Sequence, residues 1–322
     1  MPNCGPLART GCFRIKNDPE GNDKKMKLAF ITMVWRDYWL LERWIAHNAR
    51  LVPLRQLYVI NHGGDPEVDR IAAGCNVIHL PRDEVTIDLT ERRWAMLSAQ
   101  TNGLLAFYDR VICTDVDEFL VYLGDKPDLL AHLADRPVTG DALAPLGMNV
   151  IPVPAADVPE DAPLLARWPH GLLSAKYTKP CIAAARVQYT TGGHGLRRGT
   201  FEIDRDVALL HLHYVTPDYT ERMAARAQIV ADSRATNAAS ATPKKMPARY
   251  WINWADSDLI RDKEMARFAE ADLVDLLQDA PRMAEVLQAA MRTKDRKTVI
   301  EPADMRDHPL RVEWPASLSR AI

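Results

Sequence analysis

The residues with the clearest potential for chemistry follow a short apolar run near the middle of the chain. The run, Val111 to Cys113, leads through one threonine into Asp115, Val116, Asp117 and Glu118. Such a run predicts a buried parallel strand, and in an extended segment Asp115 and Asp117 point to the same side. Paired carboxylates suit Mg²⁺ or Mn²⁺, with diphosphate oxygens as further ligands. We therefore predict that Asp115 and Asp117 bind Mn²⁺ or Mg²⁺.

An isolated Asp-x-Asp motif has low specificity, and a solvated turn with helix-capping acids is the alternative. Here an apolar run also follows the motif, at Phe119 to Val121. Acids between two buried runs require a cation, a charged partner or water. The carboxyl end of a parallel strand is also where open α/β sheets bind their ligands. The surroundings therefore favour a binding site over a simple turn.

A pair of histidines, His211 and His213, lies in an apolar stretch much later in the chain. On a strand their imidazoles share one face, so the pair could bind a metal. Cupins use a similar pair, but they need an all-β pattern that this helix-rich chain lacks. A structural role in the core or at the surface is equally open. One of the two could instead complete the cation site of Asp115 and Asp117.

Two lysines and one glycine-flanked histidine offer further contacts. Lys176 or Lys179 could neutralise a diphosphate as a point charge, with solvated loop lysines as the alternative. His194 lies in Gly-Gly-His-Gly, where glycines let a ligand approach the backbone, although an ordinary turn fits equally well. Aromatic residues in the stretch 250–254 could stack on a sugar or pack under a loop.

The elements that must position these residues alternate between strand and helix up to residue 123. Apolar runs predict strands at 28–34, 57–60, 76–80 and 111–113, and helical periodicity predicts helices at 38–51, 69–73 and 90–108. This alternation indicates an α/β fold with a mostly parallel, doubly wound sheet. Later runs predict a mixed-sheet extension and C-terminal helices, with strands near 142–149, 182–189 and 207–214 and helices at 222–234, 263–278 and 282–292.

Length and composition limit the protein class. The 322 residues are 47% hydrophobic with a formal net charge of −2, which fits one large domain and gives no field that attracts nucleic acid. The five cysteines are scattered and form no C-x-x-C motif, which fits a reducing compartment. No run approaches the roughly 18 apolar residues of a transmembrane helix. We expect a cytoplasmic protein, and peripheral association with the inner membrane stays open.

Several of these features together resemble the bacterial family-2-like glycosyltransferases of the GT-A fold, and most closely the branch related to the family-92 enzymes. They are the β-α-β start, the strand ending in Asp-Val-Asp-Glu-Phe, the Lys-Tyr-Thr-Lys-Pro sequence at 176–180 and the His-Leu-His-Tyr sequence at 211–214. The resemblance implies a GT-A-like fold and a cation-dependent, inverting transferase. Its donor would be a nucleotide-diphosphate sugar and its acceptor a glycan or other hydroxyl compound, as in surface polysaccharide or glycan synthesis.

The resemblance also implies roles for individual residues. Asp115 and Asp117 match the acids that bind cation and donor, and His213 matches a late histidine that joins the metal or diphosphate. The segment 32–36 and the turn containing Asn61 and Asp65 match loops that hold the base and ribose. Lys176 would contact the diphosphate.

The implied organisation has three regions. The composition of residues 1–25 predicts a flexible leader, and residues 26–230 would form the GT-A-like domain. Within that domain, 26–123 would bind the nucleotide sugar and 124–230 would complete the acceptor and metal site. Residues 231–322 would form a loop and helical region packed on the domain.

The sequence leaves the base and the reaction class open. Glu118 and His194 are both candidates to deprotonate the acceptor hydroxyl. A haloacid dehalogenase-type phosphatase would use the first Asp as a nucleophile, but its motif continues into Gly-Thr near the chain start. A non-catalytic module that binds sugar nucleotides or glycans is a further alternative, because a fold alone does not establish activity.

Overall fold

The computed structural model describes residues 26–82, 88–238, 257–302, 309–318 and 321–322. The predicted leader, 1–25, and the aromatic stretch 250–254 lie outside the described residues. None of the helices in the described ranges is both long and apolar enough to cross a membrane.

The first half of the chain forms a parallel sheet. Its strands are β1 (Leu28–Val34), β2 (Leu57–His62), β3 (Asn76–Leu80) and β4 (Arg110–Cys113), in the order β4-β1-β2-β3. All three pairings between them are parallel, so their carboxyl ends meet at one edge. The connecting helices are α1 (Tyr38–Asn48), α2 (Pro66–Ile71) and α3 (Leu89–Leu104). Every residue of β1 is buried, as expected of a central strand covered on both faces.

The second half extends this sheet with strands of both directions. The further strands are β5 (Glu118–Tyr122), β6 (Ala142–Val150), β7 (His170–Leu173), β8 (Ile182–Ala183), β9 (Gln188–Tyr189), β10 (Gly195–Arg198), β11 (Phe201–His211), β12 (Asp272–Asp275), β13 (Met291–Lys294), β14 (Lys297–Ile300) and β15 (Leu310–Glu313). The main sheet runs β12-β15-β7-β6-β8-β4-β1-β2-β3, and β11 pairs with both β5 and β6. The strands β13, β14, β10 and β9 form a separate small sheet. The remaining helices are α4 (Leu129–Asp135), α5 (Leu164–Arg167), α6 (Tyr219–Ala238), α7 (Ser257–Glu270) and α8 (Ala280–Ala289).

The strand directions bring the end of β11 to the edge where β4 ends. β8 is antiparallel to both β4 and β6, so β6 runs in the same direction as β4. β11 is parallel to β6, with His211 opposite Asn149 in the register. The carboxyl end of β11 therefore lies at the edge formed by the carboxyl ends of β1 to β4.

The predicted fold class is confirmed as an α/β chain with a parallel sheet, a mixed extension and C-terminal helices. Beyond shifts in the ends of several elements, three differences from the prediction concern the second half of the chain. β11 begins at Phe201 and ends at His211, so His213 follows the strand. The predicted strand at 182–189 is two short strands, β8 and β9. The C-terminal region also contributes strands, because pairing with β15 makes Asp272–Asp275 extended where helical periodicity predicted a helix.

Candidate active site

A cavity of about 480 Å³ lies at the edge where the parallel strands end. Its lining comes from the segments after β1 and β3, the end of β2, the turn after β4, the end of β11 and the helices α3, α6 and α7. The polar and aromatic residues that line it include Trp35, Asp37, His62, Arg82, Arg93, Asp115, Asp117, Asn149, Lys176, Lys179, His194, His211, His213, Arg226 and Glu264. The cavity thus occupies the ligand-binding edge expected of an open α/β sheet.

The two aspartates of the motif lie in a tight turn instead of an extended segment. β4 ends at Cys113, and the backbone N–H of Glu118 donates to the Asp115 carbonyl over 3.1 Å. Trp44 of α1 donates to the hydroxyl of Thr114 over 3.0 Å, which fixes the start of the turn. As a consequence, Asp115 and Asp117 have different partners.

Asp117 faces the two histidines at and just after the end of β11. Its Oδ2 lies 3.5 Å from His211 Nε2 and 3.5 Å from His213 Nδ1. Both separations exceed the roughly 2.7–3.2 Å of an ordinary N–H···O hydrogen bond. Two ligand atoms each about 2.1 Å from one ion are about 3.0–3.5 Å apart at ordinary coordination angles. The three side chains therefore form a group that could bind one metal ion.

The electrostatics of this group favour the protonation states that metal binding needs. Burial alone would raise the pKa of Asp117, but the two histidines hold it well below its usual value. Burial lowers the pKa of His213 to about 3, although Asp117 partly opposes the shift. Metal ligation requires a carboxylate and neutral imidazoles, so both shifts prepare the residues for that role.

His211 is held in place from two sides. Its ring stacks on Tyr177 with centroids 3.7 Å apart and an interplanar angle of 17°. Its Nδ1 lies 2.7 Å from Asn149 Oδ1. Gly147 permits this packing, because a Cβ there would lie 2.1 Å from the Tyr177 carbonyl carbon. A fixed imidazole is the arrangement that metal-binding histidines usually show.

Asp115 belongs to a different, cationic network. Arg93 Nη2 donates to one carboxylate oxygen over 2.5 Å and Lys179 Nζ to the other over 2.8 Å. Burial alone would raise the pKa of Asp115, but Arg93 and Lys179 hold it well below its usual range. Of the two groups in the described chain that could bind a metal, the one at this edge differs from the predicted set, because His211 joins it and Asp115 lies outside it. The turn is the physical reason, since it separates the two carboxylates.

Glu118, one predicted candidate base, is buried beneath the turn. Only 1% of its surface is exposed, and it is not among the described residues that line the cavity. Its Oε1 lies 2.5 Å from Lys179 Nζ, and its Oε2 accepts from the Asp115 backbone N–H over 3.0 Å. Burial raises its pKa, while Lys179 opposes the shift. These contacts stabilise the turn and leave no path to an acceptor in the cavity.

His194 and Lys176, by contrast, both line the cavity. His194 Nδ1 lies 2.6 Å from the carbonyl oxygen of Lys176. A carbonyl can only accept, so Nδ1 carries the proton and Nε2 keeps its lone pair. Burial, reinforced by the charge of Lys179, lowers the pKa of His194 to about 4. The ring is therefore a neutral proton acceptor near pH 7.

Asn61 and Asp65 stabilise the turn after β2 and are not among the described residues that line the cavity. Asn61 Nδ2 donates to the Asp65 carbonyl over 2.9 Å and to Asp69 Oδ1 over 2.8 Å. Asp65 caps α2 by accepting from the Glu67 N–H, and Tyr38 donates to its other oxygen over 2.7 Å. This differs from the predicted contact with ribose, because both side chains are used within the protein. His62, at the end of β2, lines the cavity instead.

The cavity also contains residues that no sequence pattern selects. Arg93 and Arg226 lie on helices, where periodicity alone cannot distinguish a cavity-lining arginine from a surface one. Asp37 precedes α1 and lies 3.3 Å from Arg222, and burial raises its pKa. Asn149 and Glu264 reach the cavity from β6 and α7. Strand pairing between β6 and β11 brings Asn149 there, and packing of α7 against the sheet brings Glu264.

Comparisons with known proteins add little to this geometry. No protein-family model and no curated protein sequence matches the chain. Among solved structures, a mannose-1-phosphate geranyltransferase from Thermus thermophilus matches at 13% identity with a TM-score of 0.27. The match covers 67% of this chain and 66% of the geranyltransferase, so it spans slightly less than two thirds of the geranyltransferase. A likeness this distant supports no inference about function.

Proposed function

We propose that this protein is a glycosyltransferase that moves a sugar from a nucleotide-diphosphate sugar to an acceptor hydroxyl and requires a divalent cation. The proposal rests on one observation: His211 and His213 each place a ring nitrogen 3.5 Å from the same Asp117 oxygen, at the ligand-binding edge of the sheet. The resemblance of the Asp-Val-Asp-Glu-Phe and His-Leu-His-Tyr sequences to family-2-like enzymes of the GT-A fold supports the same function. It also favours inversion at the anomeric carbon.

The ligand types bear on which cation the site would take. One carboxylate and two imidazoles suit Mn²⁺ better than Mg²⁺, which prefers oxygen ligands and retains its waters. When bound, the cation would offset the charge that develops on the diphosphate leaving group. Lys176, in the loop after β7, would place a positive charge beside the diphosphate. Trp35 and His62 would face the nucleoside.

The residues of the chain divide the remaining tasks. His194 would accept the proton of the acceptor hydroxyl at Nε2, because its Nδ1–H is bound to the Lys176 carbonyl. Glu118 would be a positioning residue, because its contacts with Lys179 and the Asp115 backbone N–H hold the turn in place. The Asp115 carboxylate accepts hydrogen bonds from Arg93 and Lys179, which makes it a poor nucleophile. This argues against a haloacid dehalogenase-type phosphatase.

The proposal can be tested by calorimetric titration of the protein with UDP, GDP and dTDP in Mn²⁺, in Mg²⁺ and in EDTA. We expect one nucleoside diphosphate to bind in a Mn²⁺-dependent manner, with weaker binding in Mg²⁺. The matching nucleotide sugars should then be hydrolysed slowly in the absence of acceptor. Cation-dependent binding without turnover of any donor would favour the non-catalytic binding module. Binding that is equal in Mn²⁺ and EDTA would refute the cation site.

The pH dependence of activity tests the role of His194. Because its pKa is lowered to about 4, the Nε2 lone pair should be available down to that pH. We expect kcat/KM to fall as the pH drops through about 4, well below the usual histidine value of about 6.5. His194→Gln should lose about 10²- to 10⁴-fold in kcat.

The surface histidine His79, which pairs with Asp69, provides the matched control. His79→Gln should leave kcat and the pH profile unchanged. An acid limb near the ordinary histidine pKa, or full kcat in His194→Gln, would show that His194 is not the base.

A further inference from the structure

Glu264 reaches the cavity from α7, in the region after residue 230. Its Oε2 accepts from Asn149 Nδ2 over 2.9 Å. Arg267, one turn later on the same helix, places Nη1 3.0 Å from Glu264 Oε1 and 3.2 Å from Glu264 Oε2. Asn149 is 2% exposed, so its amide is oriented by protein groups. The contacts form a relay from the partly buried Glu264 on α7 to the buried Asn149 on β6 and on to His211.

The donors and acceptors in this relay leave a single arrangement. A carboxylate only accepts, so Asn149 must turn its NH₂ group toward Glu264. The amide oxygen of Asn149 then faces His211 Nδ1, at 2.7 Å. That nitrogen must carry a proton to make the contact, because an amide oxygen cannot donate. In the neutral imidazole, the lone pair of His211 is therefore on Nε2, the nitrogen that lies 3.5 Å from Asp117 Oδ2.

The position of Glu264 is fixed by the packing of its helix. Phe268, one turn after Glu264, is buried in a small cluster with Ile151 and Leu172. Those two residues belong to the segment after β6 and to β7, next to Asn149. The helix is thus held against the strand that presents Asn149, and Arg267 restrains the carboxylate from its other side.

We propose that Glu264 fixes the tautomer of His211 through Asn149 and so sets the Nε2 lone pair as a metal ligand. Glu264 is a positioning residue for His211. The part of this inference that concerns metal binding rests on the proposed function. Hydrogen bonds of this kind behind metal-binding histidines typically change metal affinity about 10- to 100-fold. It follows that α7 belongs to the functional unit, although the resemblance implied a unit that ends at residue 230.

The experiment compares variants of the full chain with the wild-type protein. Glu264→Met removes the acceptor at similar volume. Glu264→Gln retains a carbonyl oxygen that can still accept from Asn149. Glu270→Gln, at the exposed end of the same helix, is the matched control. The tautomer of His211 is read from ¹⁵N shifts of histidine-labelled, metal-free protein, with the His211→Asn spectrum as the assignment. Mn²⁺ affinity is read by calorimetry.

We expect the wild-type protein and Glu270→Gln to show His211 protonated at Nδ1. Glu264→Met should show a mixture of tautomers and a Mn²⁺ Kd about 10- to 100-fold higher, with Glu264→Gln close to wild type. Adding Asn149→Asp to Glu264→Met should restore both properties, because an aspartate accepts from Nδ1 without help from α7. A merely structural effect of Glu264→Met would not be rescued in this way.

An unchanged tautomer together with an unchanged Mn²⁺ Kd in Glu264→Met would overturn the inference. Failure of the double variant to restore the tautomer would overturn it as well. If the wild-type protein binds no Mn²⁺, the cation site of the proposed function fails. The tautomers of the metal-free protein then still decide whether Glu264 orients His211.

Discussion

Replacing Asp117 by asparagine is expected to abolish most Mn²⁺ binding and activity while the fold remains intact. Asp117 is the one carboxylate in the group with His211 and His213, and its Oδ2 lies 3.5 Å from a ring nitrogen of each imidazole. An amide keeps the volume but loses the charge that a hard cation requires. Groups that merely orient ligands alter metal affinity about 10- to 100-fold, so loss of this ligand should cost at least about 100-fold.

Calorimetry with Mn²⁺ and donor hydrolysis measure the effect, and circular dichroism checks the fold. Asp272→Asn, an exposed aspartate in the edge strand β12, is the matched control and should behave as wild type. Wild-type Mn²⁺ affinity in Asp117→Asn would show that the cation does not bind at this group. Normal affinity combined with lost activity would instead assign Asp117 to the chemistry and not to the cation.

The fold could be predicted where local signals coincide with the final environment. β1 and β3 have the predicted bounds, because β1 is an uninterrupted apolar or β-branched run and β3 is a short, mainly apolar run that ends before a proline. The predictions failed where pairing partners decide the structure. Asp272–Asp275 is extended because it pairs with β15. The two strands lie dozens of residues apart in the sequence, and no local sequence pattern indicates that they pair.

The site shows the same division. The motif drew attention to the segment after β4, and the spacing of His211 and His213 agrees with their common approach to Asp117, although His213 lies beyond the end of β11. The separate roles of Asp115 and Asp117 could not be predicted, because period-two geometry assumes an extended backbone and the chain makes a turn there. The resemblance matches Asn61 and Asp65 to a nucleotide-binding loop, but polar residues in a turn serve helix caps and binding sites alike. The contribution of Glu264 depends on the packing of Phe268, which has no signature in a single sequence.

The largest effect on stability is expected from Lys179→Met. Lys179 is buried, and its Nζ lies 2.8 Å from Asp115 Oδ2 and 2.5 Å from Glu118 Oε1. Removing this charge breaks the ion pair of the buried Glu118 carboxylate, while the partly buried Asp115 keeps its contact with Arg93. Breaking a buried ion pair from one side typically destabilises a protein by about 3–5 kcal/mol. We expect a loss of that size in the free energy of unfolding, measured by chemical denaturation.

Two further variants separate the loss of a charge from the loss of packing. Lys179→Met combined with Glu118→Gln should recover part of the stability, because the amide removes one uncompensated buried charge. Lys176→Met, in the same segment but exposed, should change stability by no more than about 0.5 kcal/mol and should weaken diphosphate binding instead. The contrast between the two lysines would assign Lys179 to the turn and Lys176 to the ligand. If Lys179→Met is as stable as the wild-type protein, the carboxylates are not held by Lys179, and the account of why Asp115 and Asp117 have separate roles fails with it.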